Sequence, residues 1–263
     1  MLSVSIESIG IAAPGLNGWK ESAKVLNGTA DYCPEPLQKY KPSLLPPNER
    51  RRATELVRMA FRVCEDAFTQ RPDEDAAQYA TVFASSGGDY PIIDQICRSL
   101  CEPERLVSPT RFHNSVHNSA AGYWSIAVGG QCASTSLSAH DASFSAGLLE
   151  AMTYCQLEQQ PCLLAVYDIC PPEPLQAKRN IPVEFGTALL LKPIATEQSL
   201  ATIRLQGFCN NDITSLASPP LETLRQQNPA ARSLTLLTCI AQQKSSTVIF
   251  ENGFQNIVLE VTP

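Results

Sequence analysis

Residues 134–155 read STSLSAHDASFSAGLLEAMTYC. Thr135 to Ala139 has the length and composition of a short strand. Ala142 to Cys155 is rich in Ala, Gly, Leu and Phe, which predicts a helix buried on most of its sides. His140 and Asp141 occupy the turn between them. A strand, a sharp turn and a buried helix together present one residue at a helix N-terminus. Unpaired N–H groups and the helix dipole favour negative charge there. A cysteine at that point would be a strong nucleophile with a depressed pKa. This chain places His140 there, and Asp141 follows where a carboxylate is favourable.

The flanking segments extend the pattern. Upstream, Ala120 to Gly129 predicts a helix of small residues able to pack closely. Tyr79 to Ala84 predicts a strand ending in Ser85-Ser86-Gly87-Gly88, with a helix around Asp94 to Leu100 after it. Residues 3 to 12 alternate as a strand and turn at Ala13-Pro14-Gly15. Asn17 to Asn27 predicts a short helix stopped at Gly28, and a proline-rich stretch runs from Cys33 to Pro47. Asn48 is a candidate N-cap for a helix in which Ala53, Leu56, Val57, Ala60, Cys64, Ala67 and Phe68 recur at helical spacing. Downstream, Cys162 to Tyr167 is a continuous apolar run, as expected of a strand buried on both faces. Phe185 to Leu191 predicts a further strand. Two helices are expected later, after Pro219-Pro220 and from Ala230 to Gln243. The tail, Thr247–Glu251, Asn252-Gly253 and Phe254–Val261, predicts a hairpin on a two-residue type I′ turn.

The chain has 263 residues and a formal net charge of −6. One domain with a substantial core is expected. The acidic balance argues against nucleic acid and anionic membrane surfaces as partners. No apolar run reaches the roughly 18 residues that cross a bilayer. The opening MLSVSIESIGIAAPG lacks the basic start of a secretion signal, so a cytoplasmic setting is expected. The ten cysteines are scattered without a CxxC pair, which points to reduced thiols in apolar surroundings. Arg50-Arg51-Arg52 reads as the solvated face of a helix, or else as a docking patch for an acidic partner.

These segments, in this order, resemble the ketoacyl synthases of the thiolase-like superfamily. The residues that carry the resemblance are Asn118-Ser119-Ala120-Ala121-Gly122, Ser134 to Ala139, Ala142-Ser143-Phe144, Leu163-Leu164-Ala165-Val166 and Glu184-Phe185-Gly186-Thr187-Ala188-Leu189-Leu190-Leu191. The resemblance covers about residues 1 to 195. It implies an α/β thiolase-like fold of layered helices and mixed β-sheets, truncated in its C-terminal half. The chain then reads as a single ketosynthase-like domain, 1–263. Residues 1–195 form the N-terminal half, and 196–263 a shortened C-terminal part ending in the hairpin.

Two departures from the family pattern matter. His140 stands at the family's nucleophile position, where imidazole cannot form an acyl thioester. Active ketosynthases also use two polar residues, usually histidines, from the second half of the fold. The histidines here are His113, His117 and His140 only. No catalytic residue is therefore assigned. The combination resembles the shortened chain-length-factor subunits found with aryl polyene ketosynthases. That implies a heterodimer with a full-length ketosynthase, visited by an acyl carrier protein, with no cofactor and no metal. Within the family the segment before the Asn118 equivalent lies at the subunit interface. Phe112, His113, Ser115 and Val116, with His140, are accordingly the candidate acyl-tunnel and interface residues. The missing half also predicts apolar faces that need cover from a partner.

Other features carry weaker signals. His113 and His117, four apart, would share a face if helical, but no third ligand accompanies them at a familiar spacing. Ser85-Ser86-Gly87-Gly88 has the composition of a phosphate cradle without a P-loop pattern. An alternative reading makes the chain an independent acyltransferase, thioesterase or decarboxylase of ketosynthase-like fold, acting through His140 or Cys132. Cys132 precedes the key strand instead of following it, which favours a structural thiol.

Overall fold

The computed structural model describes residues 2–263. Its centre is one mixed sheet. The strands are β1 (Ser3–Ala13), β2 (Leu16–Asn17), β3 (Ala80–Ala84), β4 (Ser134–Leu137), β5 (Cys162–Asp168), β6 (Phe185–Lys192), β7 (Ala201–Cys209), β8 (Ser246–Phe250) and β9 (Asn256–Thr262). They lie in the order β4-β3-β5-β6-β1-β7-β9-β8, with β2 folded back on β1. Strands β4, β3 and β5 run parallel, and the remaining pairs are antiparallel. Strands β7, β8 and β9, late in the chain, thus extend the same sheet.

Helices cover the two faces unequally. One core joins the sheet to α1 (Trp19–Leu26), α7 (Ser143–Glu158), α8 (Pro219–Gln227) and α9 (Leu234–Ala241). The other joins it to α3 (Glu55–Thr69) and α6 (Ser119–Val128). Along β5, Cys162, Leu164 and Val166 enter the first core, and Leu163, Ala165 and Tyr167 the second. This two-sided burial is why the strand reads as an unbroken apolar run.

In β1 the alternation changes phase. Val4 and Ile6 share a core with Ile9 and Ile11, because a bulge between Ile6 and Ser8 inserts Glu7. An extra residue shifts every later side chain to the other face. Further along β1, Gly10 lies against α3. A Cβ there would sit 1.9 Å from the Val63 carbonyl oxygen, so glycine allows this helix–strand approach.

Several boundaries differ from the expectations. The helix expected from Asn48 is two helices, α2 (Pro47–Arg52) and α3, separated at Ala53, whose backbone is extended. Asn48 lies inside α2; the cap is Thr54, whose hydroxyl accepts from the Val57 N–H at 3.3 Å. The expected helix from Ala230 starts as a 3-10 turn over Ala230–Ser233 before α9. The expected two-residue hairpin turn is a loop over 251–255. Ser145 on α7 donates its hydroxyl to the Glu251 carbonyl and holds the loop on the helix layer.

The C-terminal strands present a mixed outer surface. β7 and β9 expose Thr202, Arg204, Gln206 and Glu260 in part or in full, and Phe208 on β7 is 52% exposed. Gln206 donates to Glu260 at 2.6 Å, and Arg204 lies 3.7 Å from it. A larger group of exposed apolar side chains lies between residues 93 and 126, at Leu100, Leu106, Phe112, Val116 and Ile126. Four of the ten free cysteines, Cys33, Cys97, Cys101 and Cys170, are exposed; Cys64, Cys155 and Cys162 are buried in the cores. Among the described residues no helix is long and apolar enough to cross a membrane.

Candidate functional site

Three parallel strands end side by side, so their following turns meet. The turn after β3 supplies Ser85 to Gly88. The turn after β4 supplies Ser138 to Ala142. The end of β5 supplies Asp168. Hydrogen bonds lock them together: the Ser85 N–H donates to the Leu137 carbonyl at 3.2 Å, and Ser138 Oγ to the Ser86 carbonyl at 2.8 Å.

Asp168 is the centre of this junction and is fully buried. Its Oδ1 accepts from Ser85 Oγ at 3.0 Å, the Ser86 N–H at 2.9 Å and Ser86 Oγ at 2.8 Å. Its Oδ2 has no partner among the described residues. Burial pushes its pKa up to about 6, against the opposing pull of the serine hydrogen bonds and of Arg179. Asn228 closes the junction from the C-terminal part, donating to the Asp168 carbonyl at 3.2 Å and the Val183 carbonyl at 2.7 Å. Ser85 and Ser86, whose composition with Gly87 and Gly88 is that of a weak phosphate-cradle signal, are therefore spent on an internal carboxylate. A phosphate would meet a buried negative group there, so that reading is withdrawn.

His140 stands at the turn into α7, in a 3-10 turn with Asp141 and Ala142. Its φ is 53°, the left-handed region that costs a non-glycine residue about 1 kcal/mol or more. Ser143 maintains the conformation: its hydroxyl donates to the His140 carbonyl at 2.7 Å and accepts from the Ala139 N–H at 3.0 Å. The His140 side chain is 72% exposed, with Nδ1 3.6 Å from Asp141 Oδ1. Asp141 pairs instead with Arg179, at 2.6 Å. Tyr90 roofs the neighbouring turn, its hydroxyl 2.0 Å from where a Cβ on Gly87 would lie.

The other sequence candidates separate into two places. Phe112 and His113 lie on the short helix α5 (Pro109–Asn114), and Ser115 and Val116 follow it. Phe112 is 67% and Val116 48% exposed. The segment is anchored by buried Asn114, which donates to the Arg52 carbonyl at 2.9 Å and accepts from the Tyr123 hydroxyl at 2.9 Å. His113 and His117 share no helical face, because α5 ends at Asn114. His113 stands edge-on to Tyr123, while His117 Nε2 lies 2.8 Å from the Leu137 carbonyl. Among the described residues no group of three or more His, Cys, Asp or Glu converges as a metal site. Cys132 sits before β4, its thiol 3.5 Å from the Ala77 carbonyl. The length of the strand separates it from the turn at His140.

Sequence reasoning missed Asp168, Arg179, Asn228 and Tyr90. The signal for Asp168 was present, as a single carboxylate ending an otherwise apolar strand. Arg179 and Asn228 reach the junction from irregular segments whose path no periodicity reveals.

The comparisons agree with this architecture. A chain of the ketosynthase (ApeO)–chain length factor (ApeC) complex from Xenorhabdus doucetiae superposes with a TM-score of 0.72 at 23% identity, covering 99% of this chain and 100% of that one. A chain of the ishigamide ketosynthase/chain length factor gives 0.74 at 12% identity, covering 98% of each. A chain of the AntDE:AntF assembly, a type II polyketide acyl carrier protein in complex with its ketosynthase, gives 0.71 at 12% identity and 99% of each. These likenesses establish the fold. No curated protein sequence matches the chain. The family model for the β-ketoacyl synthase N-terminal domain matches residues 19–253, and the chain belongs to the β-ketoacyl synthase family.

Proposed function

We propose that this chain is a non-catalytic, chain-length-factor-type subunit that pairs with a full-length ketosynthase in type II polyketide-like synthesis. The observation that carries the reading is the turn into α7. Its apex residue is an exposed imidazole in place of a thiol, and the adjacent carboxylate is tied to Arg179. An imidazole has no sulfur to carry an acyl thioester through condensation. The partner would hold the acyl chain and receive the acyl carrier protein.

The interface is assigned to the edge formed by β4 and the segment from α4 (Tyr90–Cys101) to α6. Strand β4 ends the sheet order, so its outer side offers unpaired backbone groups suited to a partner strand. The exposed Phe112 and Val116 supply apolar contact nearby in sequence. Bulk at these two positions would limit the length of an acyl chain by overpacking.

The test is covalent labelling of the reconstituted pair with a thiol-reactive acyl-thioester analogue, read by peptide mass spectrometry. The expected adduct lies on the ketosynthase cysteine, with none at His140 or Cys132. A stoichiometric adduct at either residue of this chain would establish the independent-enzyme alternative instead.

A further inference from the structure

Prolines from distant parts of the sequence converge on one cleft. Pro14 follows β1, Pro34 and Pro36 come from the proline-rich stretch, Pro182 precedes β6, and Pro220 lies in the first turn of α8. The cleft has a volume of about 550 Å³, within the range of small-molecule sites. It lies by the ends of β1 and β6, interior to the sheet order and away from the β4 edge assigned to the partner.

The walls are fixed before any ligand arrives. Proline rings lock φ and remove backbone donors. The Tyr32 hydroxyl donates to the Pro14 carbonyl at 2.9 Å, and Asn228 holds the Val183 carbonyl. Leu224 and Val183 add apolar surface, and Cys170 brings an exposed thiol. Among the described residues the only ionisable carboxyl in the lining is Glu184. Burial raises its pKa, with Arg62 opposing. A half-buried carboxylate in a donor-poor, apolar cleft lacks the solvation it would have in water, and a cationic ligand would supply that stabilisation.

We propose that this cleft binds a compact, mainly apolar amine, its hydrocarbon body among the proline rings and its ammonium directed at Glu184. The inference does not depend on the partner-subunit reading. Cys170 provides a reporter inside the cleft, while Cys97 and Cys101 on α4 lie outside it.

The experiment measures alkylation of each cysteine by iodoacetamide in the full chain, alone or in its complex, by peptide mass spectrometry. Phenethylamine is the probe, and 3-phenylpropionate is its counterpart of opposite charge. Phenethylamine should slow modification of Cys170 saturably, about tenfold when present at ten times its dissociation constant, leaving Cys97 and Cys101 unchanged. Glu184→Gln should weaken that protection about tenfold. Thr223→Trp, at the rim, should abolish it by filling the cleft. Protection by phenylpropionate equal to that by phenethylamine overturns the proposal. So does no protection by either, or protection that survives both substitutions.

Discussion

Replacing Asp168 with asparagine should change how stability depends on pH, in a direction set by burial. The folded-state pKa is about 6, against an ordinary value of 3.8. Because the folded value is the higher one, the folded state binds the proton more tightly than the unfolded state. The stabilising contribution is fully present below about pH 4 and is lost as pH rises to about 6. A difference of about two pKa units corresponds to about 3 kcal/mol. The substituted amide would not titrate, yet its carbonyl oxygen could still accept from Ser85 and Ser86. Its NH2 group would stand where Oδ2 now has no partner, a fixed cost of about 1–3 kcal/mol. The stability of Asp168→Asn relative to the native chain should therefore rise by about 3 kcal/mol from pH 4 to 7. Urea unfolding followed by fluorescence of the buried Trp19 and Trp124 measures that difference directly. A difference that stays constant across this range would refute the burial argument.

Three further outcomes follow from the geometry. Gly10→Ala drives a Cβ into the Val63 carbonyl and should cost about 3 kcal/mol in urea unfolding. Phe112→Asp combined with Val116→Asp alters two exposed side chains. It should leave the unfolding midpoint unchanged but weaken association with the ketosynthase at least about tenfold, measured by calorimetry. Phe112→Ala should lengthen the longest acyl product of the reconstituted pair, read by mass spectrometry, if that side chain limits the tunnel.

The central strands were legible because burial on both faces leaves an unmistakable run, as in Leu163 to Tyr167. The helix α7 was legible from its small and apolar residues. The phase change in β1 was not, because a bulge at Glu7 is decided by partners far away in the chain. Thr196 donates to its carboxylate at 2.7 Å and Ser199 at 2.5 Å. The break between α2 and α3 was hidden because Arg50 to Arg52 favour helix on their own. At the candidate site the sequence placed His140 at the turn, and the structure adds what surrounds it. The pairing of Asp141 with Arg179 depends on the irregular chain between β5 and β6. The location of exposed apolar surface also needed the fold. The exposed apolar side chains lie at Phe208 on β7 and from α4 to α6 at Leu100, Leu106, Phe112, Val116 and Ile126, positions that the amino-acid pattern alone does not single out.

The partner-subunit reading is tested most directly by co-expressing the chain with a full-length ketosynthase and determining mass after size-exclusion chromatography. The account predicts a stable one-to-one complex, held by apolar surface that includes the exposed Leu106, Phe112 and Ile126. A well-folded monomer at micromolar concentration that ignores the ketosynthase would contradict it.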